Sequence, residues 1–117
     1  MDISSPIVEK VVCVARLTGT PLPEEELISP NSTVQQWNIG GTDLGIIWEQ
    51  DPGKYGIFFG DSYGRKFKPF GPKPNDATGE WRCNFLAFST DTYLNDGLSF
   101  WGVVTDSKGE AREIIPG

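Results

Sequence analysis

An all-β fold of short antiparallel strands is what this chain predicts, and three observations predict it. Gly and Pro are dense, at fourteen and nine of 117 residues, and are spread along the chain, which marks many short strands joined by turns. Runs of β-branched and aromatic residues end in turn signals such as Asp51-Pro52-Gly53 and Asn95-Asp96-Gly97. No helical periodicity persists beyond one turn. At this length the chain is read as a single domain, residues 1–117, with one core.

In order, Met1 to Pro6 reads as a lead-in, and Ile7–Leu17 as a strand with Val11, Cys13 and Ala15 on one face. Gly19–Pro30 holds three prolines and the run Glu24-Glu25-Glu26. It reads as a loop with one helical turn after Pro23, because Pro followed by acids suits a helix N-terminus. Asn31-Ser32-Thr33 matches a glycosylation sequon, a pattern too short to carry weight. The centre of the chain is a hairpin, Gly40–Glu49 answered by Tyr55–Asp61 about the turn Gln50–Lys54. An odd-numbered loop sets Asp43 directly opposite Asp61; a two-residue Pro52-Gly53 loop sets Asp43 opposite Ser62. Like charges facing each other in a sheet cost stability, and Gly41, Gly45 and Gly60 leave the backbone around them open to approach.

Ser62–Gly79 is a loop in which aromatics interleave with four of the ten basic residues, the pattern of a ligand loop. Trp81–Ser89 reads as a strand with Arg82 and Asn84 on the same face, Asp91–Gly97 as a turn, and Leu98–Thr105 as another strand. Asp106–Gly109 turns the chain back into Glu110–Ile115.

Composition excludes several function classes. The net charge is −6 and the cations are scattered, which argues against a nucleic-acid or anionic-membrane partner. No apolar run is long enough for membrane insertion, and no signal peptide is evident. A secreted protein shorn of its leader would read the same way. Histidine is absent, which removes Ser-His-Asp and Cys-His catalysis and every His-dependent zinc site. Cys13 and Cys83 read as two buried free thiols, with a disulfide between them the alternative, which needs a paired geometry that sequence does not show. Asp43, Asp61 and Asp91 offer hard oxygen ligands, yet the acidic turns lack the spacing of a calcium loop. No metal and no other cofactor is expected.

Gly41-Thr42-Asp43-Leu44-Gly45, then Phe59-Gly60-Asp61-Ser62, then Trp81 to Ala87 with Ser89 and Asp91, form an ordered series. Over Val11–Gly117 that series resembles the N-terminal part of a bacterial family catalogued as domain of unknown function 4185. The resemblance implies a five-bladed β-propeller and, by analogy with D-arabinan-degrading members, a carbohydrate-active domain that hydrolyses furanosides. A propeller blade takes about 40–50 residues, so the chain holds about two blades. It would be completed by a C-terminal part of the domain or by a homo-oligomer.

Glycosidases need two carboxyl groups flanking the scissile bond. By the resemblance Asp43 is the first candidate catalytic residue and Asp61 the second. Arg82 and Asn84 are candidates for holding sugar hydroxyls, and Trp37, Tyr63 and Trp81 for stacking on a sugar ring. The implied partner is a polysaccharide or glycan, and the implied location is extracellular or cell-surface. The competing readings are a non-catalytic carbohydrate-binding module and a structural assembly module. In those, both aspartates are turn residues that satisfy local backbone N–H groups, and Arg82 is a structural ion-pair partner.

Overall fold

The computed structural model describes residues 5–68 and 80–117. The central hairpin forms as the sequence predicts. β1 (Gly41–Thr42) and β2 (Ile46–Asp51) run out to the turn, and β3 (Lys54–Phe59) and β4 (Ser62–Tyr63) run back. Gly53 occupies the left-handed region at the turn, with φ of 75°. Thr42 pairs with Ser62, and Ile46 with Phe58. Both pairs lie on one register, so the two ladders are a single hairpin interrupted at Asp43–Gly45 and Gly60–Asp61. The irregularity between Glu49 and Asp51 adds a residue to the tip, which makes the loop odd and sets Asp43 opposite Asp61.

The sheet continues through β5 (Phe85–Ser89) and β6 (Gly102–Val103) in the order β2-β3-β5-β6, every pair antiparallel. Six strands and one five-residue helix, α1 (Thr33–Trp37), make the described chain all-β in character. The expectation of about two blades meets one four-stranded sheet and one two-stranded ladder among the described residues.

Alternation along the strands divides the sheet into two unlike faces. Ile57, Phe59, Phe85 and Ala87 point inward and join Trp37, Ile39, Phe100 and Ala111 in the core. The Phe59 and Phe85 rings stack at 4.7 Å, and Phe100 meets Phe59 edge-on at 5.8 Å. On the outer face Trp48 lies across Gly56, where an added Cβ would come within 2.6 Å of the indole. Glycine is the residue that lets that ring lie flat on the strand. Trp101 stacks on Phe88 at 5.1 Å on this same face.

α1 is too short to persist alone and is held by its ends. Thr33 and Trp37 are buried, and the Ile39 N–H closes on the Thr33 carbonyl at 3.0 Å. Asn38 ends it in the left-handed conformation, φ 58°, which Asn tolerates better than most side chains.

Four expectations are corrected. Ile7–Leu17 is not a strand; only Ala15 bridges, to Ile28. The rest of that run has no partner strand among the described residues, and propensity alone does not make a ladder. The helical turn after Pro23 is a hydrogen-bonded turn, Glu25 N–H to Leu22 O at 2.9 Å, and the helix lies further on at α1. The strand at Leu98–Thr105 shortens to β6. Side chains of Asn31, Ser89 and Asp91 have taken the backbone groups of Leu98, Ser99 and Phe100, the competition that short polar side chains offer a ladder. Cys13 and Cys83 are free as expected, but Cys13 is exposed and Cys83 half-buried rather than both buried.

The Asn31 amide is spent inside the protein. Its Nδ2 donates to the Leu17 and Leu98 carbonyls at 3.1 and 3.0 Å, and its Oδ1 accepts the Phe100 N–H at 2.6 Å. In this fold the sequon is a core brace.

Candidate functional site

Asp43 and Asp61 stand opposite each other where the hairpin is interrupted. The Asp43 N–H donates to the Asp61 carbonyl at 3.0 Å, and the Gly60 N–H donates to the Asp43 carbonyl at 3.0 Å. The break has a local cause. Leu44 sits in the left-handed region, φ 58°, and Gly45 follows with φ 144°, which lifts the chain out of strand geometry just after Asp43. A positive φ at a non-glycine residue is strain that the surrounding structure must hold. Here the hydrogen bonds on either side hold it. Gly60 makes the approach possible, because a Cβ at that position would collide with Asp43 Oδ1.

Both carboxylates are exposed and line a cleft of about 540 Å³. Arg16, Tyr63, Arg65 and Phe67 line it with them. Tyr63 and Phe67 stack at 5.2 Å with their rings 16° from parallel, a two-ring platform. The ring of Phe67 also lies within 2.5 Å of where a Gly41 Cβ would stand, so the loop after β4 packs directly on β1.

The two arginines of the cleft are neutralised by partners. Arg16 grips Glu25 in a fork, Nε to Oε2 at 2.6 Å and the other guanidinium nitrogen to Oε1 at 2.5 Å. That pair raises the Arg16 pKa and holds the Glu25 carboxyl below its usual range, the shared hydrogen bond being the largest cause of each. Arg65 donates its backbone N–H and its Nε to Asn38 Oδ1 at 2.8 and 2.9 Å, and reaches Glu110 at 3.0 Å. Asp43 and Asp61 have no cation partner among the described residues. Among the described residues the uncompensated charge of the cleft is therefore negative, which repels phosphates and other anions.

Of the remaining sequence-predicted residues, Arg82, Asn84 and Trp37 lie away from the aspartates, and each has a visible structural task. Arg82 is only 12% exposed and directs its guanidinium at backbone carbonyls, Ala111 at 2.6 Å, Glu80 at 2.9 Å and Asn38 at 3.1 Å. Asn84 clasps the C-terminal segment. Its Oδ1 accepts the N–H groups of Ile114 and Ile115, and its Nδ2 donates to the Ile115 carbonyl at 2.7 Å. Trp37 is core. Trp81 is half-exposed and does not line the cleft. Tyr63 alone of these is beside the aspartates. Sequence reasoning did not single out Arg16, Arg65 or Phe67. The interleaving of cations and aromatics in Ser62–Gly79 was the signal for the last two; residues 69–79 of that loop lie outside the described residues. Arg16 carried no sequence signal, since its place depends on how Gly19–Pro30 folds back.

Asp91, the third acidic candidate ligand, organises a turn. Its carboxylate accepts the N–H groups of Tyr93 and Ser99 and the Ser99 hydroxyl at 3.0 to 3.2 Å. The Ser99 N–H bond is the largest cause of its lowered pKa. Among the described residues no three His, Cys, Asp or Glu side chains are grouped to hold a metal, and no helix is long and apolar enough to cross a membrane.

The sequence model of the family described as domain of unknown function (DUF4185) matches residues 28–117 of the chain. No curated protein matches it.

Proposed function

The chain belongs to the DUF4185 family, and from that premise we propose that the Asp43/Asp61 cleft is a glycan-binding site of a carbohydrate-active domain. In this reading the two carboxylates are the candidate catalytic pair for furanoside hydrolysis. The observation that carries the reading is the register that sets Asp43 opposite Asp61 at the mouth of the cleft. Asp43 and Asp61 lie between the two ladders, and the bonds from Asp43 N–H to Asp61 O and from Gly60 N–H to Asp43 O hold their main chains side by side. Retaining and inverting glycosidases use carboxyl separations of about 5 to 9.5 Å, a range that side chains on adjacent main chains can span. One carboxyl would protonate the departing glycosidic oxygen. The other would either attack the anomeric carbon or take a proton from the water that does.

The surroundings suit a neutral polyol. Tyr63 and Phe67 offer a ring face for sugar C–H groups, and the unpaired carboxylates accept hydroxyl protons while disfavouring anions. The four-stranded antiparallel meander β2-β3-β5-β6 is the unit from which propeller blades are built, and in this proposal it is one blade.

A second reading, a non-catalytic carbohydrate-binding module, is favoured by one observation. Arg82 and Asn84, the residues that would hold a substrate across from the aspartates, are committed to backbone groups. Binding and turnover separate the two readings. Titration of arabinan oligosaccharides into the labelled chain should shift the amide resonances of Gly41, Asp43, Asp61 and Tyr63. Release of reducing ends should be abolished by Asp43→Asn and by Asp61→Asn while the amide spectrum stays folded. Cleft shifts without turnover in the unmodified chain would establish the binding module. No shift with any furanoside would overturn both.

A further inference from the structure

Among the described residues, segment 7–14 has no partner strand, and β2, at one end of the four-stranded sheet, has an edge with no neighbour. Ile7, Val8 and Val11 are 83, 78 and 85% exposed, and Val12 and Val14 are exposed beside them. This is the β-branched run that reads as a strand in sequence. β2 is the outer strand of the four-stranded sheet, and all six of its residues are exposed, Ile46, Ile47 and Trp48 among them. An open edge carrying apolar side chains is a template for another strand.

The two features sit close together. Val14 and Ile47 line the same apolar cleft, of about 530 Å³, with Leu17, Leu94 and Leu98. The arm 7–14 therefore leaves the body beside the edge of β2. An antiparallel register that sets Val14 opposite Ile47 also sets Val12 opposite Glu49 on the same face, and brings Lys10 to the bulged end of β2. The ammonium of Lys10 then lies diagonal to the Glu49 carboxylate, a favourable cross-strand arrangement.

We propose that the arm 7–14 of one copy of this chain adds as a fifth strand to β2 of a second copy, and that the exchange is reciprocal. Within one molecule the arm is fixed at its base. Arg16 donates its N–H to Ile28 O at 2.8 Å and forks onto Glu25, and Asn31 holds the Leu17 carbonyl. From that base it runs into solvent and leaves its own β2 uncovered. The radius of gyration is 15.8 Å, against about 13.4 Å for a compact domain of this length. An arm and an edge on every copy, exchanged about a two-fold axis, satisfy both features and close the assembly. The arm's five apolar side chains would remove on the order of 500 Å² from water. Doubled by symmetry, and with the β2 surface added, the burial reaches the roughly 1,200 Å² at which specific interfaces begin. The proposal does not depend on the cleft binding a sugar.

Sedimentation velocity on the full chain should give twice the 12.9 kDa chain mass. Val11→Pro in the arm and Ile47→Lys in the edge should each give the single mass with the near-ultraviolet circular dichroism of the body retained. Cys13 supplies a direct probe, because it is free and exposed in the arm. In a Gln50→Cys, Cys83→Ala chain, a short bis-maleimide should link Cys13 to the introduced thiol, giving a denatured band at double mass that the Cys83→Ala chain alone lacks. A monomer in solution, a dimer untouched by either variant, or a link found only at single mass would each overturn the proposal. The last would show the arm pairing with its own β2.

Discussion

The interior and the cleft of this protein use polar side chains in opposite ways. Inside, Asn31, Asn38 and Asn84 are each buried and hydrogen-bonded through both the oxygen and the nitrogen of the side-chain amide. Asn31 ties the base of the arm to the segment before β6, Asn38 ties α1 to Arg65, and Asn84 ties β5 to the C-terminal segment. At the cleft, Asp43 and Asp61 are exposed and fixed through their backbones, and their carboxylates are left free of cation partners among the described residues. A buried amide bonded at both its oxygen and its nitrogen supports the fold, and removing it strands its partners. A carboxylate held in place by its main chain alone keeps its side chain available.

The largest test of that contrast is Asn31→Ala. It orphans the Phe100 N–H and the Leu17 and Leu98 carbonyls, and each buried group left unpaired costs about 1–3 kcal/mol. Urea denaturation should show a loss of about 2–4 kcal/mol at an unchanged m value. A loss under about 1 kcal/mol, the worth of an ordinary exposed bond, would break the comparison on its interior side.

A smaller effect separates a turn-building carboxylate from the cleft pair. Asp91 has its pKa lowered by the N–H groups of Ser99 and Tyr93 and the Ser99 hydroxyl. A depressed carboxyl contributes stability that is present above its unfolded value and lost as pH falls through its folded value. Asp91→Asn should therefore lower the melting temperature at neutral pH and converge on the unmodified chain as pH falls below about 4, which flattens the acid limb of the profile. An acid limb identical to that of the unmodified chain would remove Asp91 from the structural group.

Asp43→Asn should have the smallest effect on stability, within about 0.5 kcal/mol, as for a surface change with no special contact. The measurement is the same denaturation midpoint. A gain of more than that would reveal repulsion between Asp43 and Asp61 that the fold tolerates for the sake of the site. A loss of similar size would make Asp43 a turn residue like Asp91.

Much of the hairpin was legible because its signals are local. The turn chemistry of Asp51-Pro52-Gly53 and the alternation around it fixed two strands, and the remaining ambiguity was one residue of register. The bulge before Asp51 resolved it in favour of Asp43 opposite Asp61. Arg82 and Asn84 were placed on the same strand face, yet that face met backbone carbonyls and the C-terminal segment rather than the cleft. Charge and polarity were readable at those positions; the partner was not. The strand expected at Ile7–Leu17 failed for the same reason, since β propensity describes a residue suited to a ladder and does not supply the neighbour.

By itself the sequence determined the all-β character, the central hairpin and the two aspartates that its turn brings together. These rest on alternation and turn residues, which act over a few positions of chain. Only the tertiary structure decided which polar residues are spent in the interior. It also decided that Arg16 and Arg65 reach the cleft already paired with Glu25 and Glu110, and that the arm and the edge of β2 have no strand partner among the described residues. Those outcomes depend on contacts between distant segments, such as Asn31 with Phe100 and Arg65 with Glu110. Distant pairing follows from how the core closes, and no local pattern encodes it.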